Sequence, residues 1–303
     1  MTGPALPPVR GDEFEALRPR LRAVAYRMTG SVSDAEDLCQ EAWLRWERTD
    51  TTKVDNPEAF LVSTVTRLAI DLGRSAARRR ETYVGPFLPE PLVTQRGAPA
   101  EALADPERAA ELADSLTFAF LVLLDQLDPV ERAVLLLHDV FGYSFAEVAL
   151  AVDRSVAACR QIASRARRNL DAERGPATTP DTSAEQAAIA GLLVALSSGD
   201  IEGVMAWLSP DVVQLDDGGT ARRAARRPVV GPHRVARLWV NLAKRIEPHW
   251  TMRIADVNGR PGLVIDDEGG TLMIVTATIG SDGLIRRVHS QLNPDKLRHL
   301  RND

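Results

Sequence analysis

LDPVERAVLLLHDVFGYSFAEVALAVDRSVAACRQIASRARRNL, residues 127–170, decides how this chain is read. Leu127-Asp128 places an apolar residue and an N-cap ahead of Pro129, which suits the first position of a helix. Gly142 is expected to stop that helix, Ser144 to cap a second, and Val152-Asp153-Arg154 to turn the chain into a third capped by Ser155. On the third helix Cys159, Ala163, Ala166 and Leu170 recur as an apolar stripe, while Arg160, Gln161, Ser164, Arg165 and Arg168 occupy the other faces. Two helices joined by a short turn, the second basic and polar outside, have the layout of a helix-turn-helix placed in a major groove.

Outward from this stretch, 303 residues favour two or three domains over one. The net charge is −5, so an affinity for nucleic acid has to rest on local clusters: Arg74 to Arg80, and the acid-free run from Arg154 to Arg168. The two cysteines, Cys39 and Cys159, both fall at apolar helix positions and are expected to be reduced and buried. The N-terminus lacks a basic segment followed by an apolar run, and the apolar stretch at 116–124 is too short to span a bilayer. A cytoplasmic protein with no membrane partner is expected.

Residues 14–80 are helical in pattern. Five prolines and two glycines between Glu81 and Arg108 indicate an extended linker, and helical periodicity then resumes to Leu170. A second linker spans 172–183. After it come helices near 184–196, 201–208 and 233–245, then strand-like runs at 249–257, 262–266, 271–279 and 284–292, with a further strand at 212–215. This order predicts an α+β unit with helices packed on one face of an antiparallel sheet.

In DAEDLCQEAWLRWE (34–47), Leu38, Ala42 and Trp46 face a core, and Asp37, Glu41 and Arg45 lie opposite with Gln40 and Trp43 beside them. Carboxylates next to a large aromatic suit docking on a basic partner. The helix from Glu58 to Arg80 buries Leu61, Val65, Leu68 and Leu72 and sets Arg67, Asp71, Arg74 and Arg78 on the other side, where guanidiniums at one-turn spacing can follow phosphates and reach bases. Arg67 and Asp71 also suit an ordinary i,i+4 pair, and Gly73 is expected to loosen the helix at a cost of about 1 kcal/mol. Asn56-Pro57 is a cap-and-start signal.

Together these segments resemble the extracytoplasmic-function (group IV) sigma factors of bacterial RNA polymerase. The resemblance rests on DAEDLCQEAWLRW (34–46), NPEAFLVSTVTRLAID (56–71) with its arginine cluster, and residues 127–149 running into SVAACRQIASRARRNL (155–170). FLPEP (87–91), DDGG (216–219), RRPVVG (226–231) and NPDKL (293–297) resemble the subgroup with a fused C-terminal SnoaL-like domain. The implied organisation is two all-α modules, the second with the helix-turn-helix, followed by an α+β SnoaL-like cone. It divides into sigma domain two at 10–82, a proline-rich linker at 83–108, sigma domain four at 109–172 and a regulatory domain at 184–303.

The resemblance implies docking on the clamp and flap regions of core RNA polymerase, with clamp contacts at Asp37, Gln40, Glu41 and Trp43. It implies promoter recognition of the −10 element by Asn56, Arg67, Asp71, Arg74 and Arg78, and of the −35 element by Ser155, Ala158, Arg160, Gln161, Ser164 and Arg165. Interdomain regulation falls on Phe87, Leu88, Pro89, Glu90, Pro91, Asp217, Gly218, Gly219, Asn293, Pro294, Asp295, Lys296 and Leu297, with no separate anti-sigma factor required. A short helix from Asn293-Pro294 is expected to present Asp295, Lys296 and Leu297. Two positions depart from the subgroup pattern: Arg222 and Arg223 follow the glycines where a lysine is usual, and Phe87 stands where tryptophan is common.

The rival reading makes residues 184–303 a ligand-sensing or catalytic module on a DNA-binding regulator, with Asp216, Asp217, Trp239 and His289 lining a pocket for a small molecule. Asp217-Gly218-Gly219 is also a plain turn signal. No metal-ligand spacing, phosphate loop or nucleophile elbow is present, so neither a cofactor, a metal nor a catalytic residue is expected. A helix-turn-helix repressor independent of polymerase would have no use for the acidic docking face of the first module.

Overall fold

The structure, a computed structural model, describes residues 10–80, 82–94, 117–174 and 182–300. The side chain of Arg78, residues 95–108 of the first linker and 175–181 of the second lie outside the described residues. The helices are α1 (Arg10–Thr29), α2 (Val32–Arg48), α3 (Pro57–Arg80), α4 (Phe118–Leu124), α5 (Pro129–Leu135), α6 (Phe145–Val152), α7 (Val156–Arg174), α8 (Thr182–Ser198), α9 (Ile201–Met205) and α10 (Pro232–Ala243). The strands are β1 (Val93–Thr94), β2 (Leu208–Asp217), β3 (Val229–Val230), β4 (Thr251–Val257), β5 (Arg260–Asp267), β6 (Gly270–Ile279) and β7 (Ile285–Gln291). Contacts divide the chain into two units, one from residues 1–79 with 124–173, the other from 80–123 with 174–303.

The first unit is helical because its caps and apolar spacing agree. Asp128 and Glu131 form a complete capping box at the start of α5, Ser144 and Glu147 form another on α6, and Ser155 accepts from the Ala158 amide at 3.1 Å to open α7. A π-helical turn over Leu136–Val140 continues α5, Gly142 (φ 73°) ends it, and Asp153 (φ 53°) supplies the left-handed residue between α6 and α7. Leu38, Ala42, Trp46, Leu61 and Val65 are buried as their spacing requires, and Trp46 meets Phe60 at 5.7 Å. Leu68 and Leu72 are only half-buried.

Polar ties join α5–α7 to α1–α3 within this unit. Arg20 Nε lies 2.8 Å from Tyr143 Oη and 3.0 Å from Glu58 Oε1, and Tyr143 donates to Glu58 at 2.8 Å. The buried Arg132 donates to the Met28 carbonyl at 2.8 Å and pairs with Asp125 at 2.9 Å. Gly73 does not loosen α3, which runs unbroken through it. A Cβ at that position would stand 3.0 Å from Pro129 Cγ, so glycine is what lets the two helices approach.

In the second unit the sheet runs β1-β4-β5-β6-β7-β2-β3. It is mixed rather than antiparallel: β2 lies parallel to β7, with Gln214 opposite Val288 and Asp217 opposite Gln291. One face buries Val204, Leu208, Val212, Val235, Val240 and Val288 with α8–α10 packed against it. The other buries Ala255, Val257, Val264, Ile274 and Leu297 against Val93 and Leu300. The linker thus supplies edge strand β1, registered Val93 to Val257, and its Leu92 exchanges hydrogen bonds with Asn258. Among the described residues no helix is long and apolar enough to cross a membrane.

Candidate functional site

The outer face of α7 is open. Arg160, Gln161, Ser164, Arg165 and Arg168 line a shallow groove of 460 Å³, while Cys159, Ala163, Ala166 and Leu170 are buried beneath it. Burial raises the Cys159 thiol above its ordinary pKa, as expected of an inert core cysteine. Arg165 pairs with Glu131 at 2.5 Å yet stays largely exposed, and Arg160 sits 5.8 Å from the Phe145 ring. Ser155 spends its hydroxyl on the cap and Ala158 is half-buried, so these two shape the helix start more than its reading surface.

The corresponding face of α3 is partly occupied. Arg67 does not pair with Asp71; its Nη2 donates to the Leu150 carbonyl at 2.6 Å and its Nε to the Ala151 carbonyl at 3.1 Å. Cations suit the carbonyl-rich end of a helix, and α6 ends there. Asp71 pairs instead with Arg74 at 3.4 Å, both exposed. Asn56 caps α3 through the Ala59 amide at 3.0 Å. On α2, Asp37 and Gln40 are exposed, Glu41 pairs with Arg45 at 2.8 Å, and Trp43 packs on Phe14 at 5.0 Å, so the aromatic is half-buried rather than freely presented.

The structure gathers the remaining motifs at one place in the second unit. Asp217, fully buried, receives four donors. Oδ1 accepts from Tyr83 Oη at 2.5 Å and from the Gly219 amide at 3.1 Å; Oδ2 accepts from the Leu88 amide at 2.9 Å and from Lys296 Nζ at 2.7 Å. Lys296 also donates to the Leu88 carbonyl at 2.6 Å and lies 3.2 Å from the centre of the Phe87 ring. Gln291 donates to the carbonyls of Leu88 and Pro89, Asn293 donates to Tyr83 Oη at 2.8 Å, and the Pro91 carbonyl accepts from His299 Nε2 at 2.7 Å. Pro89 and Pro91 are buried and Glu90 half-buried.

This arrangement corrects one expectation. Asn293 does cap a short 3₁₀ helix, Pro294–Lys296, but only Asp295 is turned outward; Lys296 and Leu297 are buried because the linker lies over them. Gly219 (φ 56°) is required by Asn293, whose Nδ2 would stand 2.7 Å from a Cβ there. Tyr83 was not singled out by sequence, although it precedes Phe87 by four residues and meets its ring at 5.1 Å. Burial, then the bond to Asp217, drives its hydroxyl far above the ordinary tyrosine range.

The acid–base quartet does not assemble. Asp216 stands opposite Ser290, and Leu215 opposite His289, so Asp216 and His289 project to opposite faces of the sheet. Trp239 Nε1 donates to Gln214, which donates to Asp216 at 2.6 Å. His289 shares its face with Asp217, whose oxygens are committed. Its Nδ1 and the neighbouring Thr276 Oγ1 are buried with no hydrogen-bond partner among the described residues, and burial holds the imidazole down to about 4. Phe118 covers it at 5.8 Å. No group of three metal-ligating side chains occurs among the described residues.

The first unit thus carries an open basic face on α7, a partly occupied basic face on α3 and exposed acidic and polar side chains on α2. Residues 14–79 match the Sigma-70 region 2 family and 117–170 the Sigma-70 region 4 family. The extracytoplasmic-function (ECF) RNA polymerase sigma factor SigJ of Mycobacterium tuberculosis is 40% identical over 94% of this chain and 92% of its own length. Its crystal structure matches with a TM-score of 0.74 over 94% of this chain and 97% of that one. A probable ECF sigma factor of the same organism, SigI, is 29% identical over 95% of the chain and 94% of its own length. The chain belongs to the ECF RNA polymerase sigma factors. It is an alternative sigma factor of promoter-directed transcription initiation, and its partners are core RNA polymerase and promoter DNA.

Proposed function

We propose that this sigma factor is regulated from within its own chain, by a clamp with which the C-terminal unit grips the segment Tyr83–Pro91. The observation that carries the reading is the buried Asp217–Lys296 pair closed over the Leu88 backbone. A buried ion pair adds little net stability, but losing one partner strands a charge and costs about 3–5 kcal/mol. Such a contact is therefore suited to holding one arrangement firmly. The segment connects region 2 to the chain leading to region 4, so gripping it limits how the two modules are presented to polymerase. A separate anti-sigma factor is then not required, and a protein working with polymerase belongs in the cytoplasm.

Under this reading the domains are those expected from sequence, 10–82, 83–108, 109–172 and 184–303. Asp37, Gln40, Glu41 and Trp43 dock on polymerase; Asn56, Arg67, Asp71, Arg74 and Arg78 read the −10 element; Ser155, Ala158, Arg160, Gln161, Ser164 and Arg165 serve the −35 element. The C-terminal unit is not catalytic: its Asp216 and His289 lie on opposite faces and Asp217 is consumed by the clamp. Titrating labelled full-length protein into core polymerase tests the clamp. Asp217→Asn should change the affinity; equal affinities for the variant and the parent would remove the clamp from regulation.

A further inference from the structure

We infer that the cleft between the Val84–Gly85 segment and the loop 218–226 is a binding site for a small phosphate-bearing anion. The cleft has a volume of 250 Å³, and its walls include Val84, Gly85, Asp216, Arg222, Arg223 and Arg226. That is slightly below the range of about 300–1,000 Å³ typical of drug-sized ligands and suits a smaller molecule.

Charge is what distinguishes the site. From Gly218 to Ile246 the sequence contains no acidic residue, in a chain whose net charge is −5. In this unit Arg253, Arg286 and Arg298 are paired with Asp266, Asp282 and Asp295, whereas among the described residues the arginines of the acid-free segment, Arg227, Arg234, Arg237 and Arg245 included, have no ion pair. What singles out three of them is that they line one cleft. Among the described residues Arg222, Arg223 and Arg226 have no ion pair and no side-chain hydrogen bond. Guanidiniums stay charged at every physiological pH and fit phosphate oxygens through paired N–H donors. All three line one small cleft, so a field of one sign there favours an anion as occupant.

The single carboxylate in the wall does not oppose this. Burial favours the neutral form of Asp216, and its oxygens are engaged by Gln214, Ser290 and the Ala225 backbone. It anchors the loop from below. Two walls of the cleft, Val84 and Gly85, directly follow Tyr83, and Gly218 follows Asp217, so an occupant touches both sides of the clamp. Its regulatory consequence rests on the clamp reading; the binding itself does not.

Pyrophosphate and ribose 5-phosphate, titrated separately into the full-length protein by calorimetry at constant ionic strength, distinguish an inorganic polyphosphate from a phosphorylated metabolite. Saturable one-site heat is expected for at least one of them. Arg222→Ala/Arg226→Ala should weaken it about tenfold or more, from loss of two charge-assisted hydrogen-bonding groups, whereas Arg160→Ala/Arg165→Ala should leave it unchanged. In the parent protein the bound probe should protect Arg222 and Arg226 from dicarbonyl modification, which keeps the test valid if the double variant fails to fold. No saturable heat with either probe, loss only in the α7 variant, or displacement of the probe by a short DNA duplex would each overturn the site. Because none of these readouts is transcription, they stand or fall apart from the clamp.

Discussion

The outer face of α7 and the clamp around Asp217 both depend on polar and charged side chains, and they use them in opposite ways. On α7 Gln161, Ser164 and Arg168 are exposed, and the pairing of Arg165 with Glu131 leaves its side chain 60% accessible. At the clamp Asp217 is 0% and Lys296 8% accessible, and the carboxylate oxygens are committed to Tyr83, Gly219, Leu88 and Lys296. A surface that reads another molecule must keep its donors available. A contact that holds a chain in place must consume them, because a buried unpaired group costs more than a paired one returns. Arg67 lies between these cases: a guanidinium on the proposed −10 face, taken up by the carbonyls of Leu150 and Ala151.

The contrast is sharpest in stability. Lys296→Ala should destabilise the protein by about 3–5 kcal/mol, because Asp217 is left charged and buried. The paired apolar replacement Asp217→Leu/Lys296→Met should cost markedly less. Denaturant unfolding of the three proteins checks this, and a Lys296→Ala loss below about 1 kcal/mol, the scale of a surface pair, would break the comparison.

Acid should find the same face of the sheet. His289 is held down to about 4 by burial, against an ordinary value of 6.5. Between these values the unfolded chain binds a proton that the folded chain refuses, so stability falls as pH drops from 6.5 to 4 and this contribution then levels off. The loss is about 2–4 kcal/mol. His289→Gln should flatten the slope over that window in urea titrations; an unchanged slope would mean that His289 is protonated in the folded state.

On α7 the effect should appear in discrimination rather than in folding. Arg160→Ala or Arg165→Ala is expected to lose about 1–3 kcal/mol of preference at one −35 base pair. Competition between promoter variants reads it, and a loss uniform across sequences would assign the arginine to phosphate. Cys159→Ala should leave the preference unchanged, since Cys159 is buried below that face. The smallest effect belongs to the exposed Asp71–Arg74 pair: Asp71→Ala should shift stability by less than about 1 kcal/mol. A larger shift would show α3 to be tied down on that side as well.

What could be read from sequence follows the same division. Local devices were legible, since the caps at Asp128, Ser144 and Ser155 and the stripe from Cys159 to Leu170 each depend on neighbours within one or two turns, although the capping-box partners Glu131 and Glu147 were not read. The motifs Phe87–Pro91, Asp217–Gly219 and Asn293–Leu297 were also visible as motifs. Their mutual geometry was not, because it is made by chain segments 79 to 129 residues apart. The same holds for the parallel pairing of β2 with β7, which hydrophobic alternation does not distinguish from antiparallel pairing, and for strand β1, which the prolines around it concealed. The burial of Lys296 was missed for a further reason: a lysine in a polar terminal segment is ordinarily exposed, and here the Asp217 carboxylate, the Leu88 carbonyl and the Phe87 ring offset the cost of burying it.

The most direct test of the clamp as the regulatory element is promoter-specific transcription by purified core polymerase with the full-length protein and with Asp217→Asn, at equal concentrations of folded protein. The parent protein should direct a promoter-specific transcript, and the variant should change its yield by at least about fivefold, the effect of roughly 1 kcal/mol on a closed–open equilibrium. Equal yields from the two proteins would contradict regulation by the clamp.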